Sequence, residues 1–255
     1  MPLFQSLTKS EQSLARSLKV STEHTNSAIA ESLAGSVSGK ALLTLHDQQW
    51  LSDEVINGWM KLVEAKWNSD GSKRVLCMNS FFWQKLTRTN THYDFSGVRN
   101  WTKKRKTDIF EYEIVLLPLH VGANHWTLAV VDIFSCAIEY LDSRGDPPFE
   151  GFEEWIKHWI VDEYEGGYGF EGRASELKNE GKKRSASKAF SPESLNWPLI
   201  VPEDIPQQSN DHDCGIFVCL FAAYLAAGKD IRLIDDIETQ TMRDRVLVAF
   251  CNGSV

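Results

Sequence analysis

The chain has 255 residues, a net charge of −8 with histidine neutral, and five scattered cysteines. That length can bury a full core, the acidic balance argues against a nucleic-acid-binding surface, and an odd cysteine count with no Cys-x-x-Cys pair argues against a disulfide framework or a zinc site and suits a reducing compartment. The N-terminus carries Lys9 and Arg16 but no apolar h-region, and no apolar run reaches the length of a membrane span, so an intracellular protein of nucleus or cytoplasm is expected.

Leu7, Leu14 and Leu18 recur among polar residues over 5–19. Thr8, with Glu11 three residues on, has the spacing of a capping box, and a short amphipathic helix is expected. Residues 20–40 are rich in Ser, Ala, Thr and Gly and read as a loop or weak helix, and Leu42–Leu45 as a short strand. Ser52 can cap a helix whose acids Asp53 and Glu54 sit in its first turn. Val55, Ile56, Trp59, Met60, Leu62, Val63 and Trp67 then follow a 3.6 period. Trp50 lies just ahead of that helix, outside its stripe; packing against Glu54 or Val55 is its plain reading. Val75–Met78 is a short apolar segment, and Asn79–Leu86 is expected to be a helix packing aromatics. Tyr93 to Trp101 continues helical or irregular. The basic run Lys103–Lys106 reads as a solvated loop entering the next strand more readily than as a nuclear-import patch.

Three strands follow, Ile114–His120, His125–Asp132 and Cys136–Asp142, separated by turn residues, which predicts an antiparallel meander or near-neighbour strands. Phe149–Tyr164 shows an amphipathic helical stripe of Phe152, Trp155, Ile156, Trp159 and Ile160. Residues 165–190 are Gly-, Glu-, Lys-, Ser- and Arg-rich and read as a long surface insertion. An apolar strand is expected over Trp197–Val201. Ile205–Asp213 opens a polar, period-free stretch expected to be an ordered loop. From Cys214 to Ala227 the chain is apolar on nearly every side, the pattern of a buried helix. A last helix is expected over Thr239–Cys251. Neither a repeat nor a clean linker divides the sequence, so a single domain over 1–255 is expected.

Cys214 falls in the first turn of its helix, where unpaired N–H groups and the helix dipole favour a thiolate, and Asp213 is a candidate N-cap. A thiol nucleophile needs a base, and the base needs a partner that fixes its tautomer. His125 opens a strand, Asp142 closes the next, and the three residues can meet around one sheet. On the residues alone His120, His46, His158 and His212 compete as bases and Asp132 as orienter, and Cys214 can equally be a core cysteine like Cys219.

Four segments carry a more specific signal: Gln49-Trp50-Leu51-Ser52-Asp53-Glu54, Asn100–Lys104 through Phe110, His120 through His125-Trp126-Thr127-Leu128 with Asp142-Ser143 beyond, and Pro206-Gln207-Gln208 through Asp213-Cys214-Gly215-Ile216-Phe217-Val218-Cys219. In order and across nearly the whole chain these resemble the ubiquitin-like-protein cysteine proteases, the Ulp/SENP family. The resemblance implies an α+β papain-like-superfamily fold with a central mixed sheet flanked by helices. It assigns Cys214 as nucleophile, His125 as general base, Asp142 as orienter and Gln208 as oxyanion donor, with Trp50 and Trp126 enclosing the modifier's Gly-Gly tail. It assigns His120 no proton transfer. The implied reaction is hydrolysis after the C-terminal Gly-Gly of a ubiquitin-like modifier, SUMO first, with a Nedd-class modifier or ubiquitin, a YopJ-like acetyltransferase and a silent modifier-binding module as alternatives. Neither a metal nor an organic cofactor is implied, and a monomer acting on SUMO-type modifiers and their lysine conjugates, without nucleic acid or membrane, is expected. Asp211-His212 replaces the usual glycine after Asn210, Ser52 stands where the family has Asn, and 165–190 has no clear counterpart.

Overall fold

The computed structural model describes residues 3–24, 30–32, 35–122, 124–169 and 195–255. Its frame is a five-stranded sheet of β3 (Val75–Cys77), β4 (Ile114–Val121), β5 (His125–Asp132), β6 (Ala137–Leu141) and β7 (Leu199–Ile200), paired in that order. The expected meander is present, since β4–β5 and β5–β6 are antiparallel. The outer pairs, β3–β4 and β6–β7, are parallel, which makes the sheet mixed. A separate small antiparallel pair joins β1 (Ala30–Ser32) to β2 (Gly35–Val37).

Strand alternation sorts the core onto two sides. Leu116, Trp126, Leu128, Val130 and Leu141 join one cluster, with residues of α3 (Asp53–Trp67), α7 (Cys214–Ala226) and α8 (Asp236–Asn252). Val115, Leu117, Leu119, Ala129, Val131, Ile138 and Tyr140 join the other, with residues of α4 (Phe81–Leu86) and α6 (Phe152–Gly166). Helices on both faces explain why β4 and β5 read as near-continuous apolar runs. The architecture is therefore the expected α+β sheet flanked by helices.

Local chemistry explains most boundaries. Thr8 and Glu11 form the anticipated reciprocal cap of α1 (Lys9–His24): the Glu11 N–H donates to Thr8 Oγ1 at 3.2 Å, and the Thr8 N–H to Glu11 Oε2 at 2.8 Å. Ser52 caps α3 by accepting from the Val55 N–H. Three expectations fail: within 20–40, expected as a loop or weak helix, Ala30–Ser32 and Gly35–Val37 pair as strands. The strand expected over Leu42–Leu45 is instead the short helix α2 (Gly39–Leu43), because Ser38 accepts from the Ala41 N–H and starts a helical turn. The basic run is not a loop: Lys103, Lys104 and Arg105 form the last turn of α5 (Arg99–Arg105), where cations face the negative end of the helix dipole. Residues 165 and 166 of the expected insertion end α6, and 170–190 lie outside the described residues.

α7 is apolar all round because twelve of its thirteen residues are buried. At its start Gly215 approaches Leu51 so closely that a Cβ there would lie 2.9 Å from the Leu51 Cβ. Glycine at this position lets the segment ahead of α3 lie directly on the turn that carries Cys214.

Candidate active site

β5 begins at His125 and β6 ends at Leu141, one residue before Asp142. Their register pairs Leu128 with Leu141. Alternation from that pair puts Asp142 on the same side of the sheet as Thr127 and His125, and Trp126 on the other. His125 Nε2 donates to the Asp142 carboxylate, 2.9 Å from Oδ2 and 3.0 Å from Oδ1. The Arg144 N–H donates to Oδ1 at 2.8 Å and holds the carboxylate in the tight turn that follows β6. Both partners are buried, His125 at 7% and Asp142 at 4% exposure.

Burial alone would lower the His125 pKa. Hydrogen bonds to Asp142 and to Cys214, with the charge of both, outweigh it and raise the value to about 9. With Nε2 committed to Asp142, Nδ1 is the nitrogen left for the sulfur. Cys214 is fully buried, and its Sγ lies 4.0 Å from the Asn124 carbonyl oxygen, just ahead of β5. Sequence spacing left five histidines open, and the structure brings His125 to both other candidates. His120 instead stacks on Trp126 with ring centroids 4.6 Å apart, and burial pulls its pKa down. The thiols of Cys77 and Cys219 are buried and pushed up by desolvation, which leaves them poor nucleophiles.

The loop before α7 is held by its own polar groups. Asn210 Oδ1 accepts from the His212 and Asp213 N–H groups at 3.0 and 2.9 Å, and Asn210 Nδ2 donates to Asp213 Oδ2 at 2.8 Å. Gln208 Nε2 donates to the Asn210 carbonyl, and Gln208 Oε1 accepts from the Ser143 hydroxyl at 2.8 Å. The Gln208 N–H donates to the Ser143 carbonyl at 2.8 Å, so the loop is stitched to the residue beside Asp142.

Asp213 has the N-cap position of α7, but its side chain accepts no helix N–H, contrary to expectation. Its Oδ1 accepts from Arg243 of α8 at 2.6 Å from Nη2 and 3.2 Å from Nε. The same guanidinium, 7% exposed, donates to the carbonyls of Thr44, His46, Gln49 and His212 at 3.1, 2.9, 2.8 and 3.3 Å. One buried cation therefore fixes both the strap that carries Trp50 and the two residues ahead of Cys214. Sequence reasoning missed it, although Arg243 stands on the apolar stripe of α8 with Leu247 and Phe250.

The two tryptophans differ in setting. Trp50 is 48% exposed, and its Nε1 donates to the Asp211 carbonyl at 2.8 Å, which ties it to the nucleophile loop. Trp126 is 4% exposed, and its Nε1 donates to the Leu51 carbonyl at 2.9 Å. Among the described residues, His125, Asp142 and Asp146 bring three potential metal donors within 4.8 Å of one another, but the first two already bind each other. No helix among them is long and apolar enough to cross a membrane.

Residues 49–249 match a model of the Ulp1 protease family, C-terminal catalytic domain. The chain is 29% identical to ubiquitin-like-specific protease ESD4 of Arabidopsis thaliana over 214 residues, 82% of this chain and 38% of that protein. It is 31% identical to sentrin-specific protease 2 of Homo sapiens over 190 residues, 74% of this chain and 28% of the relative. It thus spans well under half the length of these two relatives. In fold it is similar to the C-terminal Ulp1 protease domain solved in complex with Smt3, the yeast ortholog of SUMO, with a TM-score of 0.68 and 22% identity over 99% of both chains. The Ulp1-like SUMO protease catalytic domain of Chaetomium thermophilum gives a TM-score of 0.68 at 20% identity over 100% of this chain and 93% of that one.

Proposed function

Since the chain belongs to the Ulp1 protease family, we propose that it is a cysteine protease and isopeptidase cleaving after the C-terminal Gly-Gly of a SUMO-type modifier, in precursor processing, deconjugation or both. The observation that carries the reading is the buried His125–Asp142 pair beside Cys214, whose sulfur lies against the Asn124 carbonyl next to His125. The relatives' names and the Smt3 complex of a protein of like fold support SUMO as the modifier class. The single-domain reading of 1–255 is part of the proposal.

In this reading Cys214 Sγ attacks the carbonyl of the terminal glycine with its proton already held on His125 Nδ1. Asp142 holds the ring through Nε2 and balances the imidazolium charge. The carbonyl oxygen becomes an oxyanion, and the Gln208 side-chain amide and the Cys214 N–H donate to it. His125 then protonates the leaving lysine or peptide amine as the C–N bond breaks. Water, deprotonated by His125, attacks the thioester and releases the modifier with a free carboxylate. Trp50 roofs the tail and Trp126 supports the strap beneath it. A tail held under Trp50 keeps its carbonyl at the sulfur, and glycine, with no Cβ, fits such a passage most easily. The reaction needs no cofactor beyond these side chains. The five free cysteines fit a reducing compartment, and we assign the protein to the nucleus or cytoplasm.

The test is a panel of fluorogenic amides of SUMO-type, Nedd-class and ubiquitin modifiers. Turnover of the SUMO-type amide, lost in Cys214→Ser, is the expected result. Activity confined to another modifier overturns the substrate assignment, and acyl transfer from coenzyme A without amide hydrolysis overturns the reaction.

A further inference from the structure

A glutamine side chain stabilises an oxyanion only if its nitrogen, not its oxygen, faces the reacting carbonyl. The two ends of the amide are alike in shape, so neighbours must fix which is which. Around Gln208 the Asn210 carbonyl decides which end is nitrogen, and the Ser143 hydroxyl, able to donate or accept, anchors the oxygen end that results. The Asn210 backbone carbonyl can only accept, so it demands the amide nitrogen and engages one of its two N–H groups. The Ser143 hydroxyl donates to Oε1 at 2.8 Å and satisfies the oxygen at the other end. The second N–H of Nε2 has no other partner among the described residues and is left for the substrate.

We infer that Ser143 is a positioning residue for the reaction: its hydroxyl holds the Gln208 amide with the nitrogen presented to the oxyanion. The inference rests on the reading of Gln208 as an oxyanion donor. Ser143 is suited to the task by burial and by chain position. It is 1% exposed, so water does not compete for its hydroxyl. It follows Asp142 directly, so the sheet end that sets the base also sets the oxyanion donor. Its carbonyl separately accepts from the Gln208 N–H at 2.8 Å. That backbone tie survives loss of the side chain and keeps the loop seated, so removing the hydroxyl frees the amide without releasing the loop.

The experiment is a double-mutant cycle of Ser143→Ala and Gln208→Ala, read as kcat and KM on the aminocoumarin amide of a SUMO-type modifier, with thermal melts of all four proteins. Gln208→Ala is expected to lower kcat about 100- to 1000-fold, the usual cost of one oxyanion donor. Ser143→Ala is expected to lower kcat about fivefold to tenfold, the worth of one neutral hydrogen bond, with KM unchanged. In the Gln208→Ala background the same change should cost nothing further, because there is no amide left to orient. An equal loss in both backgrounds, or no loss in the wild-type background, overturns the role of Ser143 and leaves the Gln208 reading standing. A Gln208→Ala protein with wild-type kcat overturns that reading itself, and the role of Ser143 with it. The pH profile supplies a second readout. Ser143→Ala should leave its limbs in place, whereas a shift would mean that the residue acts through Asp142 and His125, contrary to the inference.

Discussion

The His125 proton contributes to stability, and its effect can be worked out with its sign. In an unfolded chain the imidazole titrates near 6.5, and in the folded protein near 9. The folded state therefore holds the proton more tightly, and the stabilisation is fully present below pH 6.5 and lost as the pH climbs through about 9. At roughly 1.4 kcal/mol for each tenfold change in proton affinity, the full effect is about 3 kcal/mol. That is a large share of the roughly 5–15 kcal/mol that holds a typical domain together. The charged and titratable groups acting on the ring are Asp142, Cys214 and His120. The assay is urea unfolding in reductant at pH 6, 7.5 and 9, comparing the wild type with His125→Gln and Asp142→Asn. The wild type should lose about 3 kcal/mol more than His125→Gln between the ends of the range. Asp142→Asn should remove most of the excess slope. If His125→Gln loses stability with pH as steeply as the wild type, the pairing described here does not hold the proton.

Other perturbations separate chemistry from scaffolding. Cys214→Ser should abolish covalent capture by a modifier with a C-terminal electrophile, and labelling of Cys219 or Cys77 in that variant would refute the assignment. His120→Ala should leave a folded protein with far more turnover than His125→Ala; equal losses would mean the wrong base. Trp50→Ala should leave the melting temperature nearly unchanged and cut activity on Gly-Gly tails, whereas Trp126→Ala should cost about 3–5 kcal/mol of stability, the usual range for a buried aromatic. A Trp126→Ala protein that melts with the wild type would refute its buried role. Arg243→Ala strips a buried carboxylate of its partner and should cost about 3 kcal/mol or more, with Arg243→Lys intermediate because a lysine cannot serve all five acceptors; an unchanged unfolding midpoint in Arg243→Ala would refute the clamp.

What the sequence revealed was whatever is local. The Ser52 cap, the apolar period of α3, the strand runs of β4 and β5 and the cysteine opening an apolar helix are all readable within a dozen residues, and each stands where the pattern put it. Leu42–Leu45 misled because four apolar residues fit a strand or a buried helical turn equally well, and only the cap at Ser38 decides between them. The choice of His125 over His120 was open on spacing because it depends on which strand faces which residue across the sheet, and the Leu128–Leu141 register decides that. Asp213 invited a capping role by position, and a cation 30 residues away took its carboxylate instead. Arg243 did leave a trace, a charge on an otherwise apolar stripe, and such a break in pattern marks a buried cation with partners worth seeking.

Arg243 also has a bearing on the order in which the molecule is made. Its guanidinium joins carbonyls 199, 197 and 194 residues upstream to the loop ahead of Cys214. During synthesis the strap emerges first, then the histidine and aspartate, then the cysteine, and the cation that secures them last. Until that final helix leaves the ribosome, the nucleophile loop lacks its counter-charge and the strap its anchor. A growing chain thus carries Cys214, His125 and Asp142 before the cation that ties the strap to the loop ahead of Cys214.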